Sequence, residues 1–394
     1  MKRGLFVAAL AAVVLVVPAA AAAHVPRVRL AVVSLPKAAL GTVGRSLALS
    51  RDSGVVDNGD AANNSVAAKP TTFDRLGRIT GYALTYGDRY SGGSGVTEIS
   101  TGVDEYKTSA DARRGLAFWR NDDPKITVLE PYGLAVTAKA LKAASVGKRR
   151  FAEGVTFTVP NAAPLAHVDE QFTDGRYVLH VDVAAGSLSA AAGVAAKLAR
   201  ALEHRLRLAE TGHLRGKPVK LVPALKAGPP VGGPDLATLA LTRPDFGGQA
   251  TILDQGYGTP SRLSLSEYVR DMQPAGNFAV LSQIIDWFPQ ANNATVLSRL
   301  EGTAMAYVFT AGFLTGTRGQ FTPVDLSAVG DNAYGGIVSV AHTGLPTVYL
   351  VVFTLASGQA MDVVLASSNS QIQAADVVNL AQAVANRLNA GLAG

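Results

Sequence analysis

Tyr86 to Ala112 reads YGDRYSGGSGVTEISTGVDEYKTSADA, and Tyr268 to Ala294 reads YVRDMQPAGNFAVLSQIIDWFPQANNA. Each block ends one strand, turns, runs a second strand and opens a helix. In the first block the turn is Ser91-Gly92-Gly93-Ser94-Gly95 and the second strand covers 96–107. Thr108 or Ser109 caps the helix, with Asp111 in the first turn, where the helix dipole favours an anion. The blocks align without a gap at an offset of 182 residues and share Tyr86, Ser100, Asp104 and Ala112. Two further blocks follow, 145–151 against 328–334 at an offset of 183 and 198–206 against 380–388 at 182. Three ordered blocks with one net slip predict a duplication, at a period far too long for a solenoid.

A chain of 394 residues suits two domains, and an apolar fraction of 48% lets each bury a core. The expected fold is therefore α+β: two tandem homologous domains, each an antiparallel β-sheet packed against α-helices. Copy 1 covers 24–212, a Pro/Gly linker covers 213–234, and copy 2 covers 235–394. Alternating apolar and polar residues predict strands at 78–86, 134–141, 151–159 and 177–183 in copy 1. The irregular apolar spacing of 96–107 predicts a bulge near Gly102. In copy 2 the strands are expected at 262–272, 278–288, 336–341, 347–355 and 360–365, with a helix after Pro289. Each copy closes with a helix, at 190–208 and 373–390. Residues 24–34 read as a first strand or lead-in, 35–49 has helical spacing, and 52–72 reads as a long surface loop. Gly256-Tyr257-Gly258 reads as a turn.

The N-terminus predicts export. Lys2 and Arg3 precede a 13-residue apolar run from Leu5 to Val17, Pro18 breaks it, and Ala19 to Ala23 supply a cleavage site, so 1–23 reads as a signal peptide. Retention as an anchor is the rival expectation, because the run to Ala23 approaches the ~20 residues that span a bilayer. No stable transmembrane segment is expected in the mature chain, and the expected location is secreted or extracytoplasmic, in the cell envelope. There is no cysteine, which removes disulfides, thiolate metal sites and cysteine catalysis. Charge is uneven: 24–234 holds 28 Lys and Arg against 19 Asp and Glu, and 235–394 holds 6 against 11. Such an imbalance is either two solvated surfaces or a means of docking lobes or chains.

The closing pattern of each copy is a Val-Gly turn, an aromatic-bearing strand, a Val-rich hairpin and an Ala-rich helix ending near Ala201 to Leu206 and Ala383 to Leu388. Over the second half of each lobe it resembles secreted actinobacterial sensor-like and LpqN-like proteins with PsbP-type α/β sandwich domains. The resemblance implies an antiparallel sheet with helices packed on it, in an extracytoplasmic, non-catalytic domain. It carries over no catalytic residue.

The residues themselves offer no familiar reaction centre. Ser94 lacks the second glycine of a nucleophile elbow, and the six histidines form no H-x-x-x-H or H-E-x-x-H spacing, so no metal, cofactor or catalytic residue is expected. Basic residues lack the aromatic interleaving of a nucleic-acid sheet, and no nucleic-acid partner is expected. His180 and Asp182 share one face of a strand; the pair is either part of a site or, with no third partner visible in the sequence, a solvent-facing pair, which is the preferred reading. Asp104, echoed by Asp286, reads as a structural residue at the strand-to-helix corner. Tyr82, Tyr86, Tyr106, Trp119, Tyr268 and Trp287 are core residues or, where helices lift off the sheet, the walls of an apolar ligand cleft. The expectation is an exported, non-catalytic binding or sensing protein for a small molecule, apolar in character, or for an envelope component. A structural envelope protein assembled through its unlike lobes and a hydrolase with dispersed residues are the alternatives.

Overall fold

Side chains that alternate along extended segments must find two faces to occupy, and here they build two antiparallel sheets of seven strands each. The computed structural model describes residues 28–63, 68–122, 135–159, 162–260, 263–274, 276–310, 318–342 and 345–393. The expected signal peptide lies outside the described residues. Among the described residues no helix is long and apolar enough to cross a membrane.

The first lobe holds α1 (Val28–Val33), β1 (Gly54–Val56), α2 (Asn58–Asn63), α3 (Pro70–Leu76), β2 (Arg78–Gly87), β3 (Val96–Tyr106), α4 (Ser109–Asp122), β4 (Ala135–Leu141), β5 (Arg149–Thr158), β6 (Leu165–Asp174), β7 (Tyr177–Ala185) and α5 (Leu188–Glu210). Its strands lie in the order β1-β2-β3-β7-β6-β5-β4. The second holds β8 (Thr251–Gly258), β9 (Ser266–Gln273), β10 (Val280–Trp287), α6 (Ala291–Thr310), β11 (Arg318–Pro323), β12 (Ala333–His342), β13 (Leu345–Ser357), β14 (Ala360–Ser368) and α7 (Ala374–Leu392). Read from its β8 edge, that sheet runs β8-β9-β10-β14-β13-β12-β11, the same topology strand for strand.

The closing helices form as their spacing requires. Ser187 caps α5 by accepting from Ala190 N, and Leu198, Leu202 and Leu206 recur every fourth residue on its buried face. They meet Tyr82, Tyr86, Ile99, Val103, Val181 and Val183 from the sheet. Each such leucine contributes roughly 1.5–3 kcal/mol by leaving water. In the second lobe α7 buries Val377, Leu380, Val384 and Leu388 in the same way.

Several local expectations are corrected. Residues 28–33 form a helix rather than a strand, because Leu30, Ala31 and Val33 pack into the α5 core. The 35–49 stretch keeps only a 3-10 turn, at Lys37–Leu40. The 52–72 loop contains β1 and α2, held by Arg78, which donates to the carbonyls of Val56 and Asp57. Gly256-Tyr257-Gly258 lies inside β8, where Tyr257 packs on Tyr268. Strands β6 and β11 are additional to the expected ones. The bulge on β3 falls at Thr97, not at Gly102, and a second irregularity in its pairing with β2 lies on β2, at Ile79. The spacing of 96–107 is irregular because β3 turns Ile99 and Val103 to the α5 side and Tyr106, at its end, to α4 on the other.

Strand pairing fixes which residues of the lobes correspond. Asp104 faces Val178 as Asp286 faces Met361. In the hairpin, Val103 faces Tyr82 while Ile285 faces Tyr268. Tyr268 is therefore the counterpart of Tyr82, not of Tyr86. The hairpin of the second lobe is four residues shorter, so the ungapped match across it is an accident of sequence.

Candidate functional site

The face of the first sheet opposite α5 carries Ala83 and Thr85 on β2, Glu98, Ser100, Gly102 and Asp104 on β3, His180 and Asp182 on β7, and His167, Asp169 and Gln171 on β6. A period of two puts them all on one side. They floor a cleft of about 510 Å³, walled by Asp52, Val55 and Val56, by Trp119 from α4, by Arg89 and Tyr90 from the β2–β3 turn, and by Leu263 from the second lobe.

Arg89 organises the charges. Its Nε and Nη2 donate to Glu98 Oε1 at 3.0 and 2.8 Å, and Nη2 also donates to Asp182 Oδ2 at 3.2 Å. Its backbone N donates to Glu98 Oε2 at 3.1 Å. His167 Nδ1 lies 3.4 Å from the same Asp182 oxygen. Burial pushes the Asp182 carboxyl up, but the Arg89 guanidinium, with His167, holds it well below the usual carboxylate range. Asp182 and Glu98 in turn raise the pKa of Arg89 further. Burial lowers that of His180 despite Asp104 and Asp182 beside it, so its ring is neutral at pH 7. A second pair closes the far end: Arg78 Nη2 donates to Asp104 Oδ1 at 2.7 Å, with no side-chain exposure on the arginine.

Two glycines make room. A Cβ on Gly102 would lie 2.2 Å from the His180 ring, and one on Gly81 would lie 2.1 Å from Asp104 Oδ1. Buried acceptors remain open: Asp182 Oδ1 and Gln171 Oε1 have no hydrogen-bond partner among the described residues. The lining holds two guanidinium groups against five carboxylates, Asp52, Glu98, Asp104, Asp169 and Asp182. The cleft is thus acidic although its lobe is basic. Asp169 and Asp182 stand directly opposite each other across β6 and β7, an arrangement that costs stability.

The six aromatic residues singled out from the sequence divide unevenly. Trp119 lines the cleft, with its ring 5.2 Å from Phe73 and 5.5 Å from Phe118. Tyr82 and Tyr86 point to the opposite face, beneath α5, where Tyr86 Oη donates to Leu35 O. Tyr106 is buried under α4. Tyr268 and Trp287 are core residues on the α7 side of the second sheet. The helices stay packed on these five, and none of them lines this cleft. His180 and Asp182 are half-buried in the cleft rather than solvent-facing. Their missing partners, His167 and Arg89, come from the unread strand β6 and from the turn. The alternation Ala166-His167-Val168-Asp169 was the signal available for the former.

The second lobe treats the same face differently. Through pairing, the counterparts of His180 and Asp182 are Val363 and Leu365, those of Asp169 and His167 are Val352 and Leu350, and that of Gly102 is Ile284. These residues form an apolar layer that α6 covers with Ala294 and Leu297. Asp286 survives there without an arginine. Burial, with Glu267 nearby, raises its pKa to about 7. Glu301 on α6 is pushed up to about 8 by burial and by Asp286 and Glu267. Among the described residues no group of three or more His, Asp or Glu is placed to hold a metal ion.

No protein-family model and no curated protein matches the sequence. Among solved structures the chain is similar to the extracellular domain of PknH from Mycobacterium tuberculosis, at 12% identity and a TM-score of 0.30, over 45% of this chain and 95% of that one. It is also similar to the di-domain ARO/CYC BexL from the BE-7585A biosynthetic pathway, at 10% identity and a TM-score of 0.16, over 86% of this chain and 97% of that one. Likenesses at these scores carry no argument about what the chain binds.

Proposed function

We propose that this is an exported, non-catalytic binding protein whose first lobe holds a small polar ligand that bears N–H or O–H donors and net positive charge. One observation carries the reading: the same sheet face is polar and open in the first lobe but apolar and helix-covered in the second. A duplicated scaffold that retains opposed carboxylates and unpartnered buried acceptors on one face bears a cost in stability that a ligand would offset. The unpartnered Asp182 and Gln171 oxygens ask for donors, the five carboxylates favour a cation, and Trp119 supplies an aromatic wall suited to a cation or a sugar ring. Export rests on the N-terminal sequence. The charge of the cleft replaces the apolar ligand expected from the aromatics with a polar one.

Trp119 and Trp287 are the two tryptophans. In a Trp287→Phe variant, Trp119 fluorescence reports on the cleft. Agmatine and glucosamine, as cationic probes, should shift it saturably, and Asp182→Asn should abolish the response. If laurate or citrate saturates the signal and the cationic probes do not, the reading is wrong.

A further inference from the structure

Arg89 sits between two residues that the other lobe holds. Asn293 Nδ2 donates to Asp88 Oδ2, and Asn292 Nδ2 donates to Tyr90 O. Asn292 Oδ1 accepts from Ala163 N at 2.8 Å, which ties a second loop of the first lobe to the same point. Both asparagines lie in the first turn of α6, and Asn293 has no exposure. Behind them Val296 packs on Val159, with Tyr90 and Leu300 alongside. Nearby, Arg51 Nη2 donates to Ser264 O at 2.6 Å, and the preceding Leu263 forms part of the cleft wall.

We propose that the binding site is shared between the lobes: Asn292 and Asn293 are positioning residues that fix the Asp88–Tyr90 turn, and through it Arg89, in the pose that engages Asp182 Oδ2 and leaves Asp182 Oδ1 open to the cleft. This rests on the cleft being the binding site. The physical argument is one of tolerance. Three side-chain bonds of 2.8–3.2 Å leave Arg89 little room, and a turn anchored at one neighbour alone swings the guanidinium by more than such bonds allow. Asp88 and Tyr90 are the two covalent neighbours of Arg89, and both are held from α6. Burial of Asn293 removes water as a substitute partner. The second lobe has given up its own cleft and serves as the frame of the other.

The test uses the full chain. Asn293→Ala should weaken agmatine binding, read by Trp119 fluorescence, tenfold or more. In an Arg89→Ala background the same substitution should have less than a twofold effect, because it acts through Arg89. The exchanged pair Asp88→Asn with Asn293→Asp should restore binding to within threefold of the parent, since donor and acceptor merely trade places. Independently of any ligand, Asn293→Ala should speed hydrogen exchange at the backbone amides of Arg89 and Tyr90. Unchanged exchange there overturns the proposal. So does an equal loss of affinity with and without Arg89. Faster exchange in a protein that binds neither agmatine nor glucosamine keeps the positioning role and overturns only the assignment of the ligand.

Discussion

Asp286→Asn should make the second lobe less sensitive to pH. Asp286, on β10, and Glu301, on α6, meet beneath that helix, with Glu267 beside them on β9. Asp286 Oδ1 and Glu301 Oε2 find no hydrogen-bond partner among the described residues. Arg299, two residues before Glu301, lies over the Tyr334 ring at 4.2 Å. Burial therefore raises the pKa of Asp286 to about 7 and that of Glu301 to about 8. Both folded values exceed the unfolded ones, near 4. The native state then binds more protons than the unfolded chain, so stability is complete below about pH 4, falls as pH rises, and levels off above about pH 8. Each proton is worth about 1.4 kcal/mol per pH unit inside that window. Two acids give a slope near 3 kcal/mol per unit, and Asp286→Asn should remove at least one proton's share. The removal also eases Glu301, which loses a like charge. The assay is urea unfolding at pH 5, 6, 7 and 8, followed by Trp287 fluorescence in a Trp119→Phe background. Parallel stability curves for parent and variant would refute the reasoning.

Other outcomes follow from the same geometry. Gly102→Ala should displace the His180 ring and weaken agmatine binding severalfold with little change in Tm, as titration and melting would show. Arg78→Leu should cost about 3–5 kcal/mol by stranding buried Asp104, and the double change with Asp104→Leu should recover most of that in urea unfolding. Leu202→Ala should cost about 2–5 kcal/mol in the first lobe, because Leu202 is fully buried against the sheet.

Much of this fold was legible in periodicity. Val377, Leu380, Val384 and Leu388 were readable as a buried stripe because a helix buries one side only. The duplication was readable from Ser100, Asp104 and Ala112, which keep their places in both copies. Tyr86 and Tyr268 misled, since two tyrosines on neighbouring turns of one alternation align as easily as true counterparts. The site was harder to read. His167, Asp169 and Gln171 alternate as a strand requires, but no local feature joins them to Asp182 or Arg89. That union is made by pairing between β6 and β7 and by a turn whose pose depends on a helix some 200 residues later. The aromatics drew notice by size, and size is what sent five of them into cores.

The longer β2–β3 hairpin belongs to the first lobe alone, and its consequence reaches beyond binding. By the offset that aligns Ala112 with Ala294, the positions of Asn292 and Asn293 are held in the first lobe by Ala110 and Asp111. Asp111 would repel Asp88 of any hairpin that approached α4, and its carboxylate already accepts from Thr108 and Arg114. The hook exists on one repeat and its catch on the other. Head-to-tail contacts between unlike faces ordinarily risk open-ended growth into filaments. Here the repeat that offers the hook cannot receive one, and the repeat that receives it has too short a hairpin to offer one. The contact closes within one chain, where hook and catch occupy each other, so neither is left over for a second molecule.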